Sequence, residues 1–373
     1  MGIGSVNRLL ITMAAPMIIS MLIGALYNIV DSLFVARYSE NALTAVSLAF
    51  PVQNIIIACG TGIGVGASSS LSKYLGAGEH KKVTVIAVNS LLIGIAAYLM
   101  FLIFGFFMCE WFFNIQTDNK EIINMGYSYL KICSVFSFGQ LFQLILEKLL
   151  QSTGRTFYTM ISQIAGAIVN IILDPIFIFG FNMGIRGAAI ATVISMAASA
   201  LFVLNHFLQK DSIVRFHRKY FKLKLPIVLA IVSIGMSPFA MQLAGSMVNV
   251  LMINALKTHG GDYAVGANGI ITSFALLLMM FILGLSQGMQ PIVGFNYGAG
   301  NMDRVMKTLR LVILIATAVT GIGFIGSWFF PHLIVRAFTN DPLMLSISSN
   351  ALRLSLMAFL VVGSQVVIAQ FFQ

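Results

Sequence analysis

Charged residues are scarce in this sequence. Asp, Glu, Lys and Arg make up 9% of its 373 residues, whereas 58% are hydrophobic and the mean hydropathy is +0.94. A soluble globular domain carries about a quarter charged residues, so this composition excludes the surface of a soluble globule. The sequence predicts a polytopic membrane protein with no segment left for a soluble domain.

Several kinds of catalytic or metal site are also missing. The three cysteines (Cys59, Cys109 and Cys133) lie in apolar stretches without C-x-x-C spacing, and the five histidines show no metal-binding spacing, so neither a disulfide framework nor a zinc site is indicated. The absence of G-x-x-x-x-G-K-[ST] means that the chain has no ATP motor of its own. No nucleophile and base pair can be assembled, so we predict that the protein is not an enzyme and needs no cofactor.

The apolar residues fall into long runs that recur about every 35 to 40 residues, which leaves room for roughly ten spans. Together with the repeat described below, they predict an all-α membrane protein in which about ten helices are present. The predicted spans are 9–36, 42–71, 83–113, 122–150, 158–181, 187–208, 226–256, 264–294, 306–338 and 343–373.

The net charge of +10 would suggest nucleic acid as a partner of a soluble protein. Here the basic residues lie in short loops between spans, so we expect no nucleic-acid partner. The second, fourth, sixth and eighth loops are the richest, and by the positive-inside rule they and the amino terminus are cytoplasmic. We therefore expect a multi-pass protein of the plasma membrane (the cell inner membrane). The basic residues of these loops are Lys73, Lys81, Lys82, Lys148, Arg155, Lys210, Arg215, Arg218, Lys219, Lys222, Lys224, Arg304, Lys307 and Arg310.

The sequence repeats itself at an offset of 222 residues. Pro16 corresponds to Pro238, Gly62 to Gly284, and the triplet 76–78 (GAG) to 298–300. Two homologous halves of six spans each would share one orientation, an arrangement typical of transporters. We therefore predict an N-terminal lobe (1–209, helices 1–6), a cytoplasmic basic linker (210–225) and a C-terminal lobe (226–373, helices 7–10). Because Gln373 corresponds to Gln151, about 58 residues of the first half lack a counterpart, and we expect a truncated second lobe.

The segment 170–175 (NIILDP) interrupts the fifth predicted span with polar groups. Asp174 is an ionisable residue at membrane depth, which by default is paired inside the protein or faces a watery cavity. Asn170 lies four residues earlier on the same helical face. Pro175 frees the backbone carbonyl of Ile171, which then needs another partner.

Asp31 is a second acid within a predicted span. Asp31, Asp174 and Thr192 each lie six positions from the outer end of their span, about 9 Å at 1.5 Å per residue. They should therefore share one depth, where with Asn170 they would form an oxygen-rich site for Na⁺ or a proton. The alternative is that each acid only forms hydrogen bonds with neighbouring helices.

Cations also occur inside the spans. Lys131 corresponds to Arg353 at the same offset, so each half carries a cation in its fourth span. Snorkelling or pairing near the outer interface explains them more simply than a role in transport. Pro16 is expected to bend the first span.

The chain resembles the multidrug and toxic compound extrusion (MATE) family, and in particular its DinF-like branch. The resemblance rests on the segments 31–35 (DSLFV), 170–175 (NIILDP), 187–192 (GAAIAT) and 290–299 (QPIVGFNYGA). It implies twelve helices in two pseudo-symmetric six-helix lobes around a cleft that opens alternately to either side. It also implies antiport, in which Na⁺ or H⁺ enters as organic, often cationic, drugs leave, an activity that confers antibiotic resistance.

The resemblance assigns roles to the residues above. Asp31, Asn170, Asp174 and Thr192 would form the coupling-ion site, and Pro16, with Pro175, would act as a conformational hinge. Small-molecule organic cations and membrane lipid would be the partners of a monomer. Two rivals remain open: a flippase for a lipid-linked saccharide of the same superfamily, which would use Lys131 and Arg353, and a membrane scaffold or channel.

Overall fold

The computed structural model describes residues 1–209, 212–214 and 220–373, and these ranges contain helices and no strand. The all-α prediction is therefore confirmed. Part of the predicted linker 210–225, including Lys210, Arg215, Arg218 and Lys219, lies outside the described residues. The helices are α1 (Val6–Tyr38), α2 (Glu40–Gly76), α3 (His80–Phe107), α4 (Cys109–Asn114), α5 (Lys120–Val135), α6 (Phe138–Ser152), α7 (Thr156–Pro175), α8 (Ile185–Leu208), α9 (Leu225–Gly261), α10 (Tyr263–Gly298), α11 (Met302–Phe329), α12 (Pro331–Arg336), α13 (Pro342–Ser355) and α14 (Phe359–Phe371).

Eight of these helices are long and apolar enough to cross a membrane, and two bent helix pairs raise the number of spans to as many as ten. This agrees with the ten spans expected from the sequence. Consecutive spans alternate in direction, so the turns 77–79, 153–155 and 299–301 lie on the same side as residue 1. We call this the N-terminal side, and the opposite one the far side.

The fourth and tenth spans are bent, whereas the sequence predicted a single continuous span for each. The axes of α5 and α6 meet at 47°, and those of α13 and α14 at 51°. The backbone leaves the helical conformation at Phe136 (φ −102°, ψ 18°) and at Leu356 (φ −94°, ψ 8°). Neither short connection contains proline or glycine, so the usual sequence marker of a bend is missing there.

The third and ninth predicted spans are also divided. The chain turns at Met108, between α3 and α4, and at Phe330, between α11 and α12. These two positions differ by the repeat offset of 222 residues, so the two halves share this feature of backbone shape as well as sequence.

Glycines let the two halves approach closely on the N-terminal side. A Cβ atom at Gly62 of α2 would lie 2.8 Å from the carbonyl oxygen of Gly235 in α9, and Gly284 of α10 packs against Ile18 of α1 in the same way. Small residues permit such backbone contact between helices. Toward the far side, by contrast, α9 exposes large apolar side chains, such as Met247 (69%) and Leu251 (61%). Helix α9 is therefore more exposed toward the far side than near its start.

The closest approach comes where α2 and α10 end. Gly76 lies against the backbone of Phe295, and Gly298 lies against the backbone of Lys73. The two glycines occupy equivalent positions of the repeat, so each half supplies a side-chain-free surface for the other.

Candidate functional site

Helix α7 presents Asn170 and Asp174 on one face, one turn apart. Both side chains are fully buried, and the Asn170 amide nitrogen Nδ2 donates a 3.3 Å hydrogen bond to Asp174 Oδ1. Helix α7 ends at Pro175 and continues as a π-helical turn, Ile176–Gly180. The polar pair thus lies just before the point where the regular helix is lost.

Asp31 of α1 and Thr192 of α8 complete this cluster. The carboxyl groups of Asp31 and Asp174 lie close to each other. One oxygen atom in each of Asp31, Asn170, Asp174 and Thr192 is buried without a hydrogen-bond partner among the described residues. A buried oxygen without a partner is costly, so such a group calls for an explanation, for example a bound ion or water.

Tyr27 extends the cluster along α1. Its side chain lies beside Thr192 and near both Asp31 and Asp174. Sequence reasoning missed Tyr27, although it precedes Asp31 by four residues and therefore lies on the same helical face.

A cavity of about 220 Å³ adjoins the cluster and is bordered by Tyr27. Most of its surface is apolar, with contributions from Leu144, Ala167 and Met196. Its polar side chains include Glu147 and Gln163.

Glu147 is the acid of this cavity and is 2% exposed. Its Oε1 accepts hydrogen bonds from Gln143 Nε2 (3.2 Å) and Ser162 Oγ (3.1 Å), and its Oε2 accepts one from Gln163 Nε2 (2.9 Å). Helix α6 supplies Glu147 and Gln143, and the neighbouring helix α7 supplies the other two. The carboxylate is held in place by neutral donors, and no basic side chain forms an ion pair with it among the described residues.

Sequence reasoning also missed Glu147 and misplaced its neighbour. The sequence places Lys148 in the fourth loop, but α6 continues to Ser152 and buries Lys148 to 9% exposure. The signal that could have found both is the pair Glu147–Lys148 inside the apolar run 141–150.

Comparison with known proteins identifies the family. The MatE family model matches residues 16–176 and 235–373. The chain is a MATE family transporter. It is 28% identical over 349 residues to the Multidrug export protein MepA of Staphylococcus aureus (strain MRSA252), covering 93% of this chain and 77% of that protein. It is 24% identical over 360 residues to the MepA of Staphylococcus saprophyticus, covering 96% and 79%.

Solved structures agree with this assignment. A MATE transporter in a straight conformation superposes with a TM-score of 0.92 at 25% identity, covering 99% of this chain and 82% of the other. A bent conformation gives a TM-score of 0.88 at 25% identity, with 99% and 83% covered. The protein is thus a multi-pass membrane transporter and not an enzyme.

The proposed hinge residues of this MATE transporter lie in different surroundings. Pro16 is buried, and α1 continues through it from Val6 to Tyr38 without a break. Pro175 is the last residue of α7. The hinge role of both prolines remains a prediction.

Lys131 and Arg353 lie apart from the cluster of Asp31, Asn170, Asp174 and Thr192 and from the cavity. The Lys131 ammonium donates a 2.7 Å hydrogen bond to Tyr127 and lies 5.8 Å from the ring centre of Phe106. Arg353 Nε donates a 3.1 Å hydrogen bond to the backbone carbonyl of Trp328. Phe106 and Trp328 are themselves equivalent in the repeat and exposed, so both cations sit beside aromatic residues on the lipid-facing surface, as snorkelling side chains do.

Proposed function

We propose that this MATE transporter is a multidrug efflux antiporter coupled to Na⁺ or H⁺. The observation that carries the proposal is the cluster of Asp31, Asn170, Asp174 and Thr192, each with a buried oxygen that finds no hydrogen-bond partner in the described part of the chain. Two carboxylates, an amide and a hydroxyl supply hard oxygen ligands suited to Na⁺. The same two carboxylates can hold a proton between them, because like charges at short range disfavour double ionisation.

The cavity beside Glu147 is the proposed drug site. Its largely apolar surface suits varied organic molecules, and the single carboxylate favours those that carry a positive charge. The relatives named Multidrug export protein MepA are consistent with this substrate class.

Tyr27 supplies a physical connection between the ion cluster and the drug cavity. It lies on α1 next to Asp31 and also borders the cavity. When an ion or a proton binds the two acids, it removes their mutual repulsion and allows α1 to approach α7 more closely. Because α1 moves Tyr27 with it, ion binding then changes the shape of the cavity.

The transport cycle depends on how tightly the coupling ion binds each of two states, one open to the N-terminal side and one open to the far side. A coupling ion can shift the protein toward one state only if it binds that state more tightly. With the orientation that the loop charges predict, the far side faces the outside. Ion entry from that side would then displace the drug outward.

The test is drug flux in proteoliposomes that contain the full chain. A fluorescent organic cation is followed under an imposed Na⁺ gradient and, separately, under a pH gradient. We expect one gradient to drive flux, and we expect Asp31→Asn and Asp174→Asn to abolish it. Asp118→Asn, at an exposed position outside the cluster, is the matched control and should transport as the wild type does. Absence of gradient-driven flux in the wild type would refute ion-coupled drug export.

The flippase alternative is not favoured by the structure. In the form that the sequence suggests, a flippase would place Lys131 and Arg353 in the central cavity. Neither residue borders the cavity beside Glu147; Lys131 lies near Phe106 and Arg353 bonds to Trp328. If Lys131→Glu and Arg353→Glu abolished transport while Asp174→Asn did not, the flippase would become the better hypothesis.

A further inference from the structure

A second cavity, of about 300 Å³, lies on the N-terminal side, where α2 ends and where α3 and α9 begin. It is separate from the drug cavity and from the ion cluster. Its described lining combines three lysines (Lys81, Lys82 and Lys224), two tyrosines (Tyr74 and Tyr220) and an apolar floor that includes Val85. Ammonium groups and phenolic hydroxyls above an apolar floor are the chemistry expected of a site for an anionic, amphipathic ligand.

One wall of this cavity is fixed by a buried amide. Asn89 of α3 is fully buried, and its Oδ1 accepts a 2.9 Å hydrogen bond from the backbone nitrogen of Lys224. Its Nδ2 donates to the backbone carbonyl of Val85 (2.8 Å) and also to that of Lys222 (3.4 Å). The start of α9, in the second half, is thus attached to α3 in the first half, and the backbone of Lys224 has a defined position.

The lysines of the cavity are only partly neutralised. Lys82 forms an ion pair with Glu79 (2.8 Å) and lies 4.7 Å from the ring centre of Tyr74. Neither Lys81 nor Lys224 forms an ion pair with a described residue. The cavity therefore keeps an excess of positive charge.

The repeat shows what occupies the equivalent place in the second half. Lys82 corresponds to Arg304 and Tyr74 to Asn296. Arg304 donates hydrogen bonds to Asn296 Oδ1 (3.1 Å) and to the backbone carbonyls of Gly4 (2.9 Å) and Met1 (3.2 Å). In the second half, oxygen atoms of the chain itself surround the cation. In the first half, the cations border a cavity instead.

We propose that this cavity binds the phosphate headgroup of an anionic phospholipid from the leaflet on the N-terminal side, which the loop charges predict to be cytoplasmic. Phosphate oxygens would contact the lysines and the tyrosine hydroxyls, and the glycerol and upper acyl chain would lie on the apolar floor. Basic residues at this depth attract anionic lipids of the cytoplasmic leaflet. The bound lipid would contact α3 of one half and α9 of the other, and would therefore stabilise the arrangement in which the halves meet on this side.

The test measures lipid binding by the full chain in detergent, using native mass spectrometry with short-chain phosphatidylglycerol and, for comparison, phosphatidylcholine. We expect phosphatidylglycerol to bind at least about tenfold more tightly than phosphatidylcholine. The double variant Lys81→Gln/Lys224→Gln should lose that preference, and Lys81→Arg/Lys224→Arg should keep it. The matched control is Lys307→Gln/Arg310→Gln, which removes two exposed charges from the same side outside the cavity and should leave the preference within about twofold of the wild type.

Three results would overturn the proposal. If the cavity variant and the control variant lost the preference for phosphatidylglycerol equally, the lipid would be attracted by surface charge in general and not by this cavity. If inorganic phosphate competed with the lipid for the cavity, equally well whatever the length of the lipid's acyl chains, that result would indicate a site for free phosphate. If the wild type bound phosphatidylglycerol and phosphatidylcholine equally, the proposed site would be excluded. Because binding is measured without transport, the result is independent of whether the antiporter function holds.

Discussion

Lys148 of the first half donates a 2.8 Å hydrogen bond to Gln287 Oε1 of the second half. Its ammonium also donates to Gln151 Oε1 (3.1 Å) on its own helix. Hydrogen bonds that involve a charged group contribute more than neutral ones, roughly 1.5 to 3 kcal/mol. We therefore expect Lys148 to hold the two halves together when the N-terminal side is closed.

Replacing Lys148 with methionine should weaken this closed arrangement, because the residue keeps its apolar length but loses the bond between halves. The fraction of molecules separated on the N-terminal side should rise roughly tenfold. Spin labels at His80→Cys and Asp303→Cys, introduced after the three native cysteines are replaced by alanine, would report that separation as a distance distribution. Lys131→Met, at the lipid-facing surface, is the control. An unchanged distribution in Lys148→Met would show that this bond does not govern closure.

Thr192 offers a test of the ion cluster that leaves both acids intact. Thr192→Val keeps the shape of the side chain but removes the oxygen that lacks a partner, so we expect the concentration of coupling ion at half-maximal transport to rise about tenfold or more. Thr192→Ser keeps the oxygen and should stay within a few-fold of the wild type. If Thr192→Val and Thr192→Ser needed the same ion concentration for half-maximal transport, Thr192 would not be part of the ion site. The measurement is initial flux against Na⁺ concentration or pH.

Glu147 should determine which drugs are preferred. The Glu147→Gln variant retains a polar group for Ser162 and Gln163 but loses the negative charge that faces the cavity. We expect KM to rise roughly tenfold for cationic substrates and to change little for neutral ones, because only the former interact with the charge. Flux of a cationic and a neutral fluorescent drug of similar size provides the comparison. A uniform rise for both would instead indicate a disturbed cavity shape.

The glycines where α2 and α10 end should tolerate no side chain in the closed state. Gly76→Ala and Gly298→Ala would each force a Cβ atom into the backbone of the other half, at a cost of roughly 1 to 3 kcal/mol. Closure on the N-terminal side should become unfavourable and transport should slow. Gly245→Ala and Gly269→Ala are matched controls, since a Cβ atom there would meet no atom within 4 Å. Normal transport by Gly298→Ala would show that this backbone contact is dispensable.

The proximity of Asp31, Asp174 and Thr192 could be predicted from the sequence because helix geometry is regular. Counting positions from the outer ends of the spans placed Asp31, Asp174 and Thr192 at one depth, and the structure brings them together. The membrane spans that contain Asp31 and Asp174 end at Tyr38 and Gly180, close to the ends assumed for that count. The four-residue spacing of Asn170 and Asp174 needed no tertiary information.

Other features depend on packing that the sequence does not reveal. Glu147 and Lys148 appear as adjacent opposite charges near the end of a span, a pattern that also fits a membrane interface. Only the contacts of α6 with α7 and α10 show that Glu147 faces the 220 Å³ cavity and that Lys148 faces the second half. The bends at Phe136 and Leu356 likewise lack a proline or glycine marker, so neighbouring helices and not local preference must determine them.

Helices α9 and α10 form a hairpin, and this restricts how α9 can move. Gly261 (φ 64°) is the only interruption between these two long helices, so their far-side ends are tethered and must travel together. At the other end of α9, Asn89 holds the backbone of Lys224 against α3. Helix α9 is therefore attached at its start to α3 of the first half and at its far-side end to α10 of the second half. Loosening the attachment to α3 should uncouple the two halves without altering the cluster around Asp31 or the cavity beside Glu147.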